Sequence, residues 1–239
     1  MLDQHRHTMR KLILSTVLMF ITTLMIAQTV PDLKGVYTTK KDDTNIVWMF
    51  IDGYSSQTTY KDDAYVSTFG GPYTYQDGTL DVQVEYNDID TDAIGQTKSF
   101  ALTANANGIQ EQSGQVWKKE AAKAQDLDGL WRITGRKQDN DLVQIHQSGT
   151  RKTIKLLVDG YFQWMAIDPG AKTFSGTGGG HYTFTDGKYS EHIVFFSRDN
   201  SRVGANLSFD GELKDRSWHH SGLSSKGAPI YEIWSRDNK

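Results

Sequence analysis

One acid and one imidazole stand in apolar rows near the C-terminal end of the chain. Glu191 follows Tyr189 by two positions and precedes Ile193, and His220 follows Trp218 in the same way. A carboxylate among apolar side chains needs a partner to stay charged, and an imidazole supplies one. The pair would orient a ligand in an apolar pocket, act as a general acid and base, or form a buried structural contact. Glu191 and His220 are therefore the catalytic candidates, with the catalytic role undecided.

Two tight turns must place this pair. Asp186-Gly187 supplies the positive φ values that a two-residue hairpin needs. With Thr185 opposite Lys188, strand alternation predicts one shared face. The residues of that face are Tyr182, Phe184, Tyr189, Glu191, Ile193 and Phe195. If Asp215-Arg216 is the next turn, a second inward row follows, made of Leu207, Phe209, Leu213, Trp218 and His220. The acid and the imidazole are both predicted to point inward.

Aromatic side chains surround the two polar groups and serve either as pocket lining or as core. A strict two-residue turn at Asp159-Gly160 would place Phe162 and Trp164 on the face of Leu157. The predicted ligand-binding residues are Phe162, Trp164, Tyr182, Phe184, Tyr189, Glu191, Trp218 and His220.

Other motifs argue against metal, phosphate and nucleophile chemistry. His219 and His220 suggest a metal site with His181 or His192 as a further ligand, but adjacent strand residues point to opposite faces. The glycine run 178–180 lacks the helix and the Lys-Ser/Thr pair of a phosphate loop, so a strand bend or bulge is predicted. No Gly-x-Ser-x-Gly elbow occurs. We therefore predict no metal and no cofactor.

Composition favours an all-β protein. Aromatic and β-branched residues recur in short runs between Asp-Gly, Gly-Gly and Asn-Gly turns. The net charge of -3 is mixed along the chain and leaves no basic footprint for a nucleic acid. The absence of cysteine excludes disulfides and thiolate metal sites. The expected partner is a small molecule, and a protein partner is left open.

The N-terminal segment is typical of export. Met9-Arg10-Lys11 precedes an apolar run that ends at Ala27. This order matches the charged and apolar regions of a secretory signal, and the run is too short for a comfortable membrane span. Residues 1–27 are predicted to be a cleaved signal peptide, which makes the protein secreted or periplasmic with no transmembrane helix afterwards. An uncleaved anchor is the alternative.

The chain repeats one unit twice. Asp32 to Tyr37 matches Asp126 to Trp131, and the match extends to later segments with insertions near 137–150 and 223–229. The predicted modules are residues 30–119 and 126–239, each a meander of about eight strands closed into an antiparallel barrel. The segment from Lys118 to Asp126 is the best helix former and is predicted to link the modules or to plug one barrel.

The first copy lacks the polar pair. Val82 matches Glu191, and Glu111 matches His220. If the pair were needed to build the fold, both copies should have it. Its restriction to the second copy favours a function located there.

Two stretches resemble known proteins. Gly129-Leu130-Trp131 looks like the Gly-x-Trp of lipocalins, in which the tryptophan closes the barrel floor near a basic residue, here Arg236. The longer pattern is similar to the lipocalin-like "membrane or secreted protein" group of Bacteroidetes over residues 126–236, with a weaker copy in 32–119. It is carried by Phe162-Gln163-Trp164, Gly178 to Thr183, Phe195-Phe196-Ser197, Trp218 to Gly222 and Tyr231 to Trp234. The resemblance implies a secreted or periplasmic β-barrel and brings no assigned catalytic residues.

The sequence thus predicts a lipocalin-like protein that binds a small, partly apolar ligand in its second barrel. The alternative is an acid–base enzyme, an isomerase, lyase or hydrolase, that uses Glu191 and His220. A scaffold for a partner complex is a third class.

Overall fold

The computed structural model describes residues 32–139, 141–224 and 226–237. The predicted signal peptide lies outside these residues. Strands are the dominant regular structure of the described chain, beside two short 3-10 turns at Thr91–Ala93 and Asn200–Arg202, and they form two closed antiparallel barrels of eight strands each. This confirms the fold class predicted from the sequence.

The first barrel is built from the N-terminal half. Its strands are β1 (Gly35–Lys41), β2 (Thr44–Ile51), β3 (Tyr54–Lys61), β4 (Ala64–Gln76), β5 (Thr79–Gln83), β6 (Tyr86–Asn87), β7 (Thr97–Asn105), β8 (Gly108–Glu111) and β9 (Val116–Lys119). β1 pairs with both β2 and β9, and the β3–β4 pairing completes the closed barrel. β6 is a short addition that pairs with β4.

The second barrel repeats the plan. Its strands are β10 (Gly129–Gln138), β11 (Asp141–Gln144), β12 (Lys152–Val158), β13 (Tyr161–Asp168), β14 (Thr173–Thr185), β15 (Lys188–Phe196), β16 (Asn206–Lys214), β17 (Ser217–Leu223) and β18 (Pro229–Arg236). β10 pairs with β12 and β18 and so closes the barrel. β11 is a hairpin arm added to β10, and it falls in the insertion predicted near 137–150.

The turns follow the sequence closely. Asp186 and Gly187 have φ values of 50° and 72°, and Thr185 lies opposite Lys188. Asp215 and Arg216 have φ values of 50° and 62° between β16 and β17. Positive φ at both central residues is the geometry that matches the twist of the flanking strands. Both predicted hairpins are confirmed.

Three apolar clusters hold the molecule together. One fills the first barrel around Trp48 and Phe50, and one fills the second barrel around Trp131 and Trp218. The third lies between the barrels and draws on both. The strands at the interface, β2 and β12, are therefore buried on both faces. This explains their nearly continuous apolar sequences.

The barrels meet through matching positions. The outward residues of β2 are Val47, Met49 and Ile51, and those of β12 are Ile154, Leu156 and Val158. Each of these strands ends at an Asp-Gly turn. The Ser56 hydroxyl donates to Gln163 Oε1 at 2.6 Å, and these two residues also hold matching positions. Like positions contact like positions, as in a two-fold dimer interface.

The predicted helix at Lys118 to Asp126 is wrong, because residues 118–119 belong to β9 and the following segment has no regular secondary structure. Hydrogen bonds to distant residues fix the conformation of this segment. The Glu120 amide donates to the Val36 carbonyl at 2.8 Å, and the Lys123 amide donates to Asp159 Oδ1 at 3.1 Å. A helix this short is marginal in water, so these contacts outweigh its propensity. The described residues include no helix of the length and apolarity needed to cross a membrane.

Candidate functional site

The second barrel contains an open cavity of about 610 Å³. This volume is typical of a small-molecule site. Side chains of β12, β13, β15, β16, β17 and β18 line it. Its walls are mainly apolar, its deep end is charged, and its rim carries exposed cations.

The deep end contains a buried ion pair. Lys155 Nζ lies 3.0 Å from Glu191 Oε1, and the side chains are 5% and 7% exposed. The Tyr189 hydroxyl donates to the same oxygen at 2.7 Å. Burial, together with the neighbouring carboxylate, raises the pKa of Tyr189 well above its usual range, so the phenol stays protonated and donates. Two donors thus support one buried carboxylate oxygen.

The partner of Glu191 differs from the prediction. The sequence predicted a contact between Glu191 and His220, whereas Lys155 forms the ion pair and His220 has its own acid. Lys155 was missed because it sits in an apolar strand whose pattern drew no attention to it. The sequence nevertheless contains a signal. The repeat places Lys155 at an inward strand position, where burying a lysine without a partner costs free energy.

Aromatic rings surround the Lys155 ammonium. Its nitrogen lies 5.0 Å from the ring centre of Tyr189, 5.2 Å from Trp218 and 5.3 Å from Trp234. Phe162 lies 5.8 Å away. Each ring face attracts a cation, more strongly where water is excluded. The cage therefore offsets part of the cost of burying the ammonium.

His220 belongs to a second polar group. Its Nδ1 lies 3.3 Å from Glu232 Oε2, and the Trp234 indole donates to the same oxygen at 3.0 Å. A carboxylate beside Nδ1 assigns the proton to that nitrogen and leaves Nε2 as an acceptor. Nε2 is buried and has no partner among the described residues. The imidazole ring packs on Phe209 with centroids 4.3 Å apart.

The electrostatics keep this imidazole neutral. Burial lowers the pKa of His220, and the hydrogen bond to Glu232 reverses only part of that effect. Burial pushes the pKa of Glu232 upward, but the contacts with His220 and the charge of Lys155 outweigh it and lower the pKa. At neutral pH the site therefore holds a charged glutamate beside a neutral histidine.

The structure brings all eight predicted ligand-binding residues into the second barrel. Trp164, Glu191 and His220 line the cavity. The remaining residues belong to the aromatic cluster beside it: Phe162, Tyr182, Phe184, Tyr189 and Trp218. The Tyr182 hydroxyl donates to the Asp128 carboxylate. Leu157 pairs with Phe162, as the strict turn at Asp159-Gly160 predicted.

A β-bulge changes the face to which the last side chains of β15 point. Ile193 pairs with Gly180 and Phe195 pairs with Gly179, so Val194 is the extra residue. The prediction that Phe195 shares the face of Glu191 is wrong, because the bulge sends Phe195 into the cluster between the barrels. Phe196 lines the cavity instead. The glycine run predicted a strand bend or bulge; the register does shift between Gly179 and Gly180, but the extra residue lies on the partner strand.

The opposite end of the barrel is closed. The Arg236 guanidinium lies 4.0 Å from the Trp131 ring centre and donates to the Asp128 carbonyl. The first barrel has the weaker counterpart, with Lys119 Nζ 5.4 Å from the Tyr37 ring. The arrangement is the one that the Gly-x-Trp resemblance implied. The Arg236–Trp131 contact therefore covers this end of the barrel.

The first barrel fills the equivalent space with apolar groups. Trp48 pairs with Tyr37 as Lys155 pairs with Trp131, and both Trp48 and Val82 are fully buried. Glu111, which matches His220 in sequence, accepts a hydrogen bond from Trp117 at 2.8 Å. The Lys155–Glu191 pair is thus specific to the second barrel.

The adjacent histidines have separate contacts. His219 Nδ1 lies 2.8 Å from the Tyr231 hydroxyl, while His220 contacts Glu232. Within the described ranges, no cluster of three or more histidine, aspartate or glutamate residues is arranged to hold a metal ion.

Among the solved structures, six chains are similar to this one. A lipocalin-like protein from Bacteroides uniformis ATCC 8492 is similar at 14% identity, over 47% of this chain and 99% of that chain, with a TM-score of 0.33. No family model and no curated protein matches the sequence. The fold assignment rests on the strand pairings described above.

Proposed function

We propose that this chain binds a small, partly apolar ligand in the cavity of its second barrel. An eight-stranded barrel is just wide enough to be filled by side chains or to hold one small ligand. The first barrel is filled by side chains around Trp48. The second barrel contains an open cavity of about 610 Å³. The ligand would lie on the cavity faces of Trp164 and Phe196.

The observation that carries the proposal is the buried charged centre of the second barrel. Burying an ion pair costs desolvation energy, and apolar residues of similar size often stabilise a fold equally well. The first barrel shows this, because Trp48 and Val82 occupy the matching positions. A polar centre retained in one barrel only is explained by recognition of a ligand.

Binding of a fluorescent apolar anion, 1-anilinonaphthalene-8-sulfonate, tests the site. Leu207 lines the cavity, and Leu207→Trp would extend an indole into it. We expect this change to weaken binding about tenfold, which corresponds to ~1.4 kcal/mol. Lys98→Trp is the matched control, because Lys98 pairs with Val82 as Leu207 pairs with Glu191. Equal affinity of the two variants would contradict the proposal.

A specific observation keeps an acid–base enzyme as the second candidate. His220 has a carboxylate on Nδ1 and an unpartnered Nε2 among the described residues, which is the arrangement of a general base. In this reading the base is His220, because Lys155 and Tyr189 already occupy an oxygen of Glu191. His220→Gln should lower turnover of any converted ligand by ~10² or more if this role holds, and only modestly change affinity if it does not.

We further propose that the protein is exported. The support is the charged and apolar pattern from Met9 to Ala27. Mass spectrometry of the N-terminus of the protein from its native cells tests this proposal: a start after Ala27 supports it, and an intact Met1 or Met9 contradicts it.

A further inference from the structure

The deep end of the cavity offers hydrogen-bond acceptors. Glu191 Oε1 accepts from Lys155 and Tyr189, while Oε2 accepts from no residue that the structure describes. His220 Nε2 is the second unpartnered acceptor in that part of the chain. A buried acceptor without a donor is costly, so a ligand that brings an O–H group there removes that cost.

The rim of the cavity is cationic. Arg202 is paired with Asp199 at 3.3 Å. Arg198 and Lys226 line the same cavity and form no ion pair with a carboxylate in the described ranges. The Arg198 Nε donates to the Ser175 carbonyl at 2.7 Å, and its guanidinium lies 5.8 Å from the Trp164 ring centre. The head of Arg198 is therefore held at the rim, where it can meet an anion.

Apolar walls join the two ends. Trp164, Ile193, Phe196, Leu207, Phe209 and Ile230 line the space between them. Along β18, Ile230 and Trp234 both line the cavity and are four residues apart, which is about 13 Å in a strand. A ligand that spans the cavity therefore needs an elongated apolar body with different polar groups at its two ends.

We propose that the second barrel binds an amphipathic hydroxy acid. Its carboxylate meets Arg198 and Lys226 at the rim, and its apolar body lies on Trp164 and Phe196. Its distal hydroxyl donates to Glu191 or to His220 at the deep end. This assignment rests on the proposed function and adds the orientation and the chemical class of the ligand.

Four probes separate the two polar ends. We would titrate the full chain with 12-hydroxydodecanoic acid, dodecanoic acid, methyl 12-hydroxydodecanoate and methyl dodecanoate, and follow tryptophan fluorescence. The hydroxy acid should bind about tenfold more tightly than dodecanoic acid, because only its hydroxyl can donate to Glu191 or to the buried His220 Nε2. Each ester should bind more weakly than its acid, and the difference should shrink as salt is raised.

Variants assign each preference to its end. His220→Phe keeps a ring on Phe209 and should reduce the preference for the hydroxyl group, as should Glu191→Gln. Arg198→Gln should reduce the preference for acid over ester and leave the hydroxyl preference unchanged. The comparison of probes on the unaltered protein needs no variant, so poor folding of one variant does not remove the test.

Equal binding of 12-hydroxydodecanoic and dodecanoic acids would overturn the hydroxyl assignment, and equal binding of acid and ester would overturn the anionic one. Failure of all four probes while Leu207→Trp still weakens 1-anilinonaphthalene-8-sulfonate would refute the hydroxy acid and leave the proposed function standing. Equal binding of that dye by the Leu207→Trp and Lys98→Trp variants would refute the proposed function itself.

Discussion

At the scale of single residues, the polar centre of the second barrel depends on Lys155. Its ammonium has Glu191 on one side and aromatic rings on several others. Sequence reasoning found Glu191 and His220 because their apolar neighbours made them conspicuous. It could not find the pairing, because β12 and β15 lie far apart in the chain and alternation defines a face, not a partner across the barrel.

Lys155→Met should destabilise the fold by about 3 kcal/mol, because it leaves the Glu191 carboxylate buried without its cation. The double variant Lys155→Met/Glu191→Leu should recover most of this loss, since apolar groups often replace a buried pair at little cost. Urea unfolding of the single and double variants measures both. A single variant as stable as the unaltered protein would show that the pair is not buried in solution.

The pH dependence of stability should report His220. Burial lowers the pKa of His220, so the unfolded chain protonates this residue near pH 6.5 while the folded chain does not. The neutral imidazole therefore makes its full contribution to the free energy of unfolding above pH 6.5. This contribution is lost as pH falls through the lowered pKa of His220. The groups around the ring are Glu232 on β18, Glu191 and Tyr189 on β15, and Lys155 on β12.

Unfolding free energies at about pH 7.5 and about pH 5 check the sign. His220→Gln should lose less stability between these values than the unaltered protein. His181, whose pKa burial also lowers, is present in both chains and cancels from the comparison. An equal loss in both proteins would contradict a neutral His220.

At the scale of elements, hairpins were predictable and the bulge position was not. Asp186-Gly187 and Asp215-Arg216 fix their registers locally, so the inward rows follow from counting, except that Leu213 beside the second turn is 44% exposed. The glycine run indicated a bulge on its own strand, but the extra residue is Val194 on the partner strand. One extra residue reverses the faces beyond it, which is why Phe195 and Phe196 exchange roles.

Gly180→Ala tests the bulge. A Cβ at Gly180 would lie 2.0 Å from the His192 carbonyl oxygen, a backbone atom that cannot easily move away. We expect a loss of about 2 kcal/mol or more in urea unfolding, together with weaker ligand binding as Phe196 shifts. Gly135→Ala in β10 is the control, because its nearest neighbour would be a side-chain carbon at ordinary contact, 3.4 Å away. Similar losses in both variants would contradict the role of the bulge.

At the scale of the whole molecule, two related barrels share an apolar interface. The repeat predicted two barrels but not their packing, since outward apolar residues on β2 and β12 can be read as ordinary strand core. Their matching positions and the Ser56–Gln163 contact give the interface the character of a two-fold dimer. The linker helix was wrong for a related reason, because propensity is local and the bonds to Val36 and Asp159 are not.

Residues 126–237 produced alone should self-associate. The excised barrel would expose Ile154, Leu156 and Val158, a contiguous apolar row that a second copy of the same face can cover. Sedimentation velocity should show dimers or larger species, and Leu156→Asp should reduce them. A stable monomer of the unaltered segment would contradict an interface that stabilises both barrels.

The most direct test of the central claim is native mass spectrometry of the protein taken from cells that produce it naturally. The proposed function predicts that one small molecule is retained per chain, that Leu207→Trp loses it and that Lys98→Trp keeps it. Retention of the same molecule by the Leu207→Trp variant would contradict a ligand site in the second barrel. The same conclusion would follow if the protein from cells carried no small molecule and bound none of the probes in solution.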